Sequence, residues 1–210
     1  GLNCGDEPAA VAENRRRLSQ WLQLPSEPAW LRQVHGTGVV CFDRAPDDGV
    51  PPEADAAVTA EPGVVLAILT ADCLPVVLAA HDGRELGVAH AGWRGLAAGV
   101  LEATVAAMRT PPGELVAWLG PAAGPARYEI GTEVHAAFVD RDPGSASAFS
   151  ATRPGHWRAD LYALARRRLA AVGVTAVHGG GLCTIGDPAR FFSHRRDGRS
   201  GRLATLAWLG

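Results

Sequence analysis

"TADCLPVVLAAHDGRELGVAHAGWRG", residues 70–95, decides how this chain is read. Two β-rich runs, PVVLAA and ELGVAH, flank His81-Asp82-Gly83-Arg84, and Asp-Gly between such runs predicts a β-hairpin with a two-residue turn. Extending a His81–Arg84 pair down the ladder sets Pro75 opposite His90 and Cys73 opposite Gly92. Cys73 and His90 then stand diagonally on one face, roughly 7–8 Å apart at the backbone. A slip of one residue would send them to opposite faces. Pro75 has no ladder donor, so it belongs at a strand start or on an edge.

A thiolate and an imidazole on one face suit Zn²⁺, which takes tetrahedral N/S coordination and keeps one position open when it is catalytic. His35, in "RQVHGTG", is the third candidate ligand, because it ends an apolar run and precedes a glycine. Spacing alone leaves a second reading open, in which Cys73 is a core thiol and the histidines are hydrogen-bonded strand-end residues. "AGWRGLAAG" follows His90 directly and leads into a helix. Its backbone N–H groups and Arg94 make either an anion cradle or a close-packed helix start. Near the C-terminus "FFSHRRDGRSGR" supplies Arg195, Arg196, Arg199 and Arg202, either as an anion site or as a solvated basic loop.

Outward from the hairpin, the N-terminal side reads as an amphipathic helix, with Pro8 near its start and Val11, Leu18, Trp21 and Leu22 at helical spacing up to Pro25. Strands are expected over "AWLRQV", "GVVCF", "AAVTA" and "VVLAILT". On the C-terminal side, residues 94–108 read as one helix with Leu96, Val100, Leu101, Val105 and Met108 on its buried stripe. "ELVAWLG" reads as a strand, "TEVHAAFV" as a short helix, "ADLYALARRRLAAVG" as a helix between Asp160 and Gly173, and "RLATLAWLG" as a closing strand. Residues 43–55 and 140–156, rich in Pro, Gly and Asp, are expected to be functional loops or lids. Strands and helices without strict alternation imply an α+β fold with mixed β-sheets.

The 210 residues are 47% hydrophobic, enough to bury a core in a single domain over residues 1–210. A net charge of −2 without long single-sign runs argues against nucleic acid and membrane as partners. All 20 basic residues are arginine, which excludes Schiff-base chemistry and a Walker-type phosphate loop. Cys4, Cys41, Cys73 and Cys183 form no C-x-x-C pair, and no secretory or transmembrane run appears, so a cytoplasmic location is expected. The chain opens on Gly1 rather than Met, so an N-terminal segment is expected to precede it.

"LRQVHG", "ADAAVTAEPGVVLAILTADCLPVVL", "GVAHAGWRGLAAGVLEATVAAM", "AWLGPAAGPARYEIGTEV", "GLCT" and "RFFSHRRDGRSGR" resemble the successive motifs of the laccase-domain family, once named multicopper polyphenol oxidoreductases and described as purine nucleoside phosphorylases. The resemblance runs from about Gly5 to Leu209. It implies an α/β/β/α sandwich and a zinc site made by His35, Cys73 and His90. It further implies phosphorolysis of adenosine, inosine and methylthioadenosine, together with adenosine deamination. The partners would be a small purine nucleoside and phosphate, in a monomer or homodimer. Zinc suits deamination because it lowers the pKa of a bound water to about 7. Arg94, Arg195 and Arg196 are the candidates for phosphate, and Asp72 for orienting a ligand or carrying a proton.

Other members are described as peptidoglycan editing factors, which offers a metal-free alternative with Cys73 as nucleophile and His90 as base. Copper is an alternative ion at the same three ligands, with polyphenol oxidation as its chemistry. A trinuclear copper cluster, however, would need more imidazoles than the seven histidines leave over. A metal-stabilised binding module would need a fourth protein ligand, and His194 is the candidate.

Overall fold

Period-two alternation in the quoted hairpin sorts its side chains onto two faces, and the rest of the fold covers both. The computed structural model describes residues 5–46 and 49–210. Its strands are β1 (Val39–Cys41), β2 (Ala56–Thr59), β3 (Leu66–Thr70), β4 (Leu74–Ala80), β5 (Leu86–Ala91), β6 (Leu115–Leu119), β7 (Glu129–Gly131), β8 (Phe149–Arg153), β9 (His156–Ala159), β10 (Ala176–Gly179) and β11 (Leu203–Ala207). The helices are α1 (Pro8–Leu22), α2 (Trp93–Ala98), α3 (Val100–Ala107), α4 (Thr132–Val139), α5 (Leu161–Ala171) and α6 (His194–Asp197).

A six-stranded sheet runs β1-β2-β5-β4-β6-β10. The outer pairs β1/β2 and β6/β10 are parallel and the inner pairs antiparallel, so the sheet is mixed as expected. On one face Ala56, Val58, Leu74, Val76, Leu78 and Ala89 pack against Leu96, Leu101 and Val105 of α2 and α3 and Leu161 and Leu164 of α5. The sheet β7-β9-β8 joins this cluster through Ile130 and Ala159. On the opposite face Ala57, Val77, Leu86 and Val88 pack against Leu66 and Ile68 of β3, which pairs with β11 as a second sheet. On that side too, Arg15 of α1 lies over the Trp30 ring at 4.1 Å. The architecture is α+β, with a mixed six-stranded sheet stacked on an antiparallel pair of strands. No helix among the described residues is long and apolar enough to cross a membrane.

Several sequence expectations are corrected. The hairpin loop holds four residues rather than two: Ala80 N–H donates to the Glu85 carbonyl, and Gly83 N–H to the Ala80 carbonyl. A two-residue type I′ turn needs positive φ at both central residues, and only Gly83 (φ +74°) has it. Both closures centre on Asp82-Gly83, so the register survives, with Pro75 opposite His90 at the second residue of β4.

The helix expected over 94–108 is two helices, because Gly99 takes φ +108° between them. Its apolar stripe is nonetheless buried as the spacing required. "AWLRQV" is no strand and makes only bridges at Ala29 and Arg32. There the Gln33 side chain replaces the ladder, its Nε2 donating to the Leu69 carbonyl at 2.8 Å and its Oε1 accepting from Leu69 N–H at 2.9 Å. Residues 140–156 are not a lid. They fold into a 3₁₀ turn (Pro143–Ala148) and β8, anchored by an ion pair between Asp142 and Arg167. The other such stretch, 43–55, falls partly outside the described residues at Asp47 and Asp48.

Candidate metal centre

Cys73 leaves the sheet one residue before β4, and His90 lies near the end of β5. His90, 3% exposed, and Cys73 both point to the face that carries β3 and β11, as the register requires. His35 ends its segment with φ +62°, a left-handed conformation uncommon for a residue with a side chain. Ligand atoms of His35, Cys73 and His90 all lie within 4.8 Å of one another. The His35 Nε2 to Cys73 Sγ distance is 3.6 Å, and the two imidazoles meet edge to face with centroids 4.7 Å apart.

Asp55 organises this cluster and has no signal in the sequence. It is fully buried at the entry to β2, and its carboxylate accepts N–H bonds from Val34 (3.1 Å), His35 (2.9 Å) and Gly36 (2.7 Å). It also bonds His90 Nδ1 at 2.7 Å, which leaves Nε2 to face the cluster. Burial alone would push the Asp55 carboxyl up, but its bonds to His90 and the backbone hold it below the ordinary range. Burial likewise raises the Cys73 thiol, and His35 and His90 outweigh it, so the thiol is acidified. For His90, burial disfavours the charged ring, while Asp55 and Cys73 more than compensate and raise it. A thiol acidified by two neighbouring histidines is the kind of donor set a zinc-type site uses.

Gly92 sits opposite Cys73, and a Cβ there would stand 2.7 Å from His35 Cδ2 and 3.0 Å from Cys73 Sγ. A Cβ on Gly95 would meet the Gly36 carbonyl oxygen at 2.7 Å. Two glycines of "HAGWRG" therefore keep the space the ligands occupy.

Among the other residues nominated from sequence, Asp72 (φ +90°) uses both carboxylate oxygens, accepting from Thr184 Oγ1 and from Arg195 N–H, each at 2.6 Å. The Arg195 guanidinium lies 4.9 Å over Tyr128 and donates to the Glu129 carbonyl. Burial, then the Cys73 charge, pushes the Tyr128 phenol up to about 12. Arg94 stacks on Trp93 and faces Glu133 at 3.7 Å. Arg196 spends its guanidinium on Asp197 and the carbonyls of Thr184 and Phe191.

A cavity of about 560 Å³ opens over the cluster and is lined by His35, Cys73, His90 and His194, with Arg15, Arg32 and Arg202. Its size suits a small-molecule ligand. Arg94, Arg195 and Arg196 do not line it. Val50 and Pro51 do, so the described part of 43–55 borders the site.

A family model described as multi-copper polyphenol oxidoreductase laccase matches residues 1–210. A purine nucleoside phosphorylase of Xylella fastidiosa (strain Temecula1) is 67% identical over 211 residues, covering 98% of this chain and 81% of the relative. A purine nucleoside phosphorylase of Pseudomonas aeruginosa is 53% identical, over 100% of this chain and 84% of the relative. The crystal structure of Neisseria meningitidis protein NMB0706 superposes with a TM-score of 0.94 at 47% identity, covering all of this chain and 85% of that one. That of YlmD from Geobacillus stearothermophilus gives 0.89 at 33% identity, with coverage of 100% and 83%.

Proposed function

Because the chain belongs to the family described as multi-copper polyphenol oxidoreductase laccase, we propose that its His35–Cys73–His90 cluster is the centre of a zinc-dependent purine nucleoside phosphorylase. The observation that carries this reading is three ligand atoms within 4.8 Å of one another, beside a cavity and with no fourth His, Cys, Asp or Glu in the group among the described residues. Two imidazoles and an acidified thiol fit zinc, and a missing fourth protein ligand is the mark of a catalytic rather than a structural site. When bound there, zinc supplies Lewis acidity that polarises a substrate or makes water a better nucleophile at neutral pH. Copper is the alternative ion for the same donors.

The chain's own residues divide the remaining work. Asp55 fixes the His90 tautomer and the His35 backbone, while Asp72 acts as a positioning residue by pinning the loop that carries Cys73. The substrates are adenosine, inosine and methylthioadenosine, with adenosine deamination at the same centre. Phosphorolysis joins an oxygen of hydrogen phosphate to the ribose C1′ and breaks the bond to the purine nitrogen. That nitrogen takes the electron pair and the proton of the phosphate.

A second reading is favoured by one further observation. Asp55, His90 and Cys73 stand in the order orienter, base and nucleophile of a cysteine hydrolase, with the 2.7 Å bond between the first two. That reading suits hydrolysis of a cell-wall precursor and gives His35 no task. Metal per chain, and release of adenine or hypoxanthine with and without phosphate, separate the two readings in wild type and Cys73→Ser. Phosphate-dependent base release that disappears on metal removal supports the phosphorylase. Full activity in a metal-free preparation sinks it.

A further inference from the structure

The cavity beside the three candidate ligands is also lined by three arginines from distant parts of the chain. Arg15 comes from α1, Arg32 from the segment leading to His35, and Arg202 from the entry to β11. No Asp or Glu among the described residues lines this cavity, in a protein whose net charge is −2. Arg32 shares its charge with Glu53 in an exposed ion pair. Arg15 and Arg202 have no carboxylate within ion-pair distance among the described residues. Arg15 lies over the Trp30 ring, and Arg202 Nη1 donates to the carbonyls of Ser200 and Gly201 at 3.0 and 2.9 Å.

Arginines lining a cavity that has no Asp or Glu among its described lining residues give it a positive potential that an anion relieves. Guanidinium groups also match phosphate oxygens in geometry, two N–H donors to two oxygens. By contrast, Arg94 faces Glu133, and Arg195 is engaged by Tyr128 and the Glu129 carbonyl outside the cavity. The centre therefore has two unlike flanks, and it is the arginines Arg15, Arg32 and Arg202, not Arg94 or Arg195, that line the cavity.

We propose that Arg15 and Arg202, assisted by Arg32, form an anion subsite for a phosphate dianion. The subsite holds the inorganic phosphate consumed in phosphorolysis, and in this respect the proposal rests on the phosphorylase reading above. The same chemistry would recognise the 5′-phosphate of a nucleoside monophosphate, so the test carries both ligands.

Equilibrium dialysis of labelled inorganic phosphate, and separately of AMP, against the metal-loaded protein measures the subsite without relying on turnover. Arg15→Gln and Arg202→Gln are each expected to weaken phosphate binding at least about tenfold, Arg202→Lys far less, and Arg84→Gln on the remote hairpin turn not at all. In steady state, the same glutamine variants should raise the KM for phosphate while the KM for nucleoside stays within about twofold. The lysine variant guards against mere loss of folding. Phosphate binding unchanged in the Arg15→Gln/Arg202→Gln double variant overturns the proposal, as does a loss seen in Arg94→Gln or Arg195→Gln instead. Binding of AMP without binding of inorganic phosphate overturns the free-phosphate assignment. Phosphate binding that follows this pattern in a protein that releases no base upholds the subsite and removes the phosphorylase reading, so the two failures are distinguishable.

Discussion

Two of the three candidate ligands and the third reach the cluster by unlike routes. Cys73 and His90 are delivered by one hairpin, whose ladder from Leu74–Ala91 to Ala79–Leu86 repeats the same register pair after pair. His35 is delivered by one carboxylate, Asp55, which holds three successive N–H groups around it. The first route is redundant, because losing one pair leaves the others to hold the register. The second concentrates its control in one residue, which also touches His90. Geometry enforced by many weak repeats tolerates change, and geometry enforced by a single buried ion does not.

Removing a candidate ligand delivered by the hairpin should have the largest effect. In Cys73→Ser and His90→Ala, metal content per chain is expected to fall to background with the fold retained, as read by elemental analysis and circular dichroism. Next comes Asp55→Asn, expected to lower metal affinity by about 10–100-fold in a chelator competition and to lower the melting temperature as well. Wild-type metal affinity in that variant would break the comparison, since His35 would then need no carboxylate.

Gly92→Ala is expected to keep the hairpin and weaken metal binding, because its Cβ would stand 2.7 Å from His35 Cδ2. A loss of fold instead of metal would show that the space serves packing alone.

Glu85, 5% exposed, probes the hairpin from outside the site. Its carboxylate accepts from Arg109 N–H and from the N–H and hydroxyl of Thr110. Burial raises this carboxyl, and those hydrogen bonds outweigh it and hold it below the ordinary value. A depressed folded-state pKa stabilises above the unfolded value and loses that contribution as pH falls through the folded one. Glu85→Gln should therefore cost about 1–3 kcal/mol at pH 7, and urea melts should show the gap to wild type closing in acid. The smallest effect belongs to Gly83→Ala, about 1 kcal/mol for a side chain at φ +74°, with metal affinity unchanged because the strands keep the register.

What could be read from sequence follows the same division. Alternation is local, so the hairpin register and the shared face of Cys73 and His90 are legible in the sequence itself. Turn length was not, because Asp-Gly serves both a two-residue loop and the four-residue loop found here. The stripe of residues 94–108 was legible, but its interruption was not, since an isolated Gly99 is tolerated in a helical pattern until its φ is known. Gln33 posing as a ladder partner, and Asp55 as the anchor of His35, depend on residues 36 and 20 positions away, beyond any periodic signal. The sheet β7-β9-β8 was hidden because its strands are short and its turn residues look like a loop.

The bonds of Asp72 bear on the order in which the protein comes into being. Thr184 and Arg195 lie 112 and 123 residues downstream of it. A ribosome that has delivered residue 90 has made all three side chains of the candidate centre, yet the loop holding Cys73 stays untied until about the last eighth of the chain, from Thr184 on, emerges. The Cys73 loop is thus one of the last parts of the candidate centre to be tied, and a product truncated before Thr184 would carry His35, Cys73 and His90 without the bonds that hold the loop of Cys73 in place.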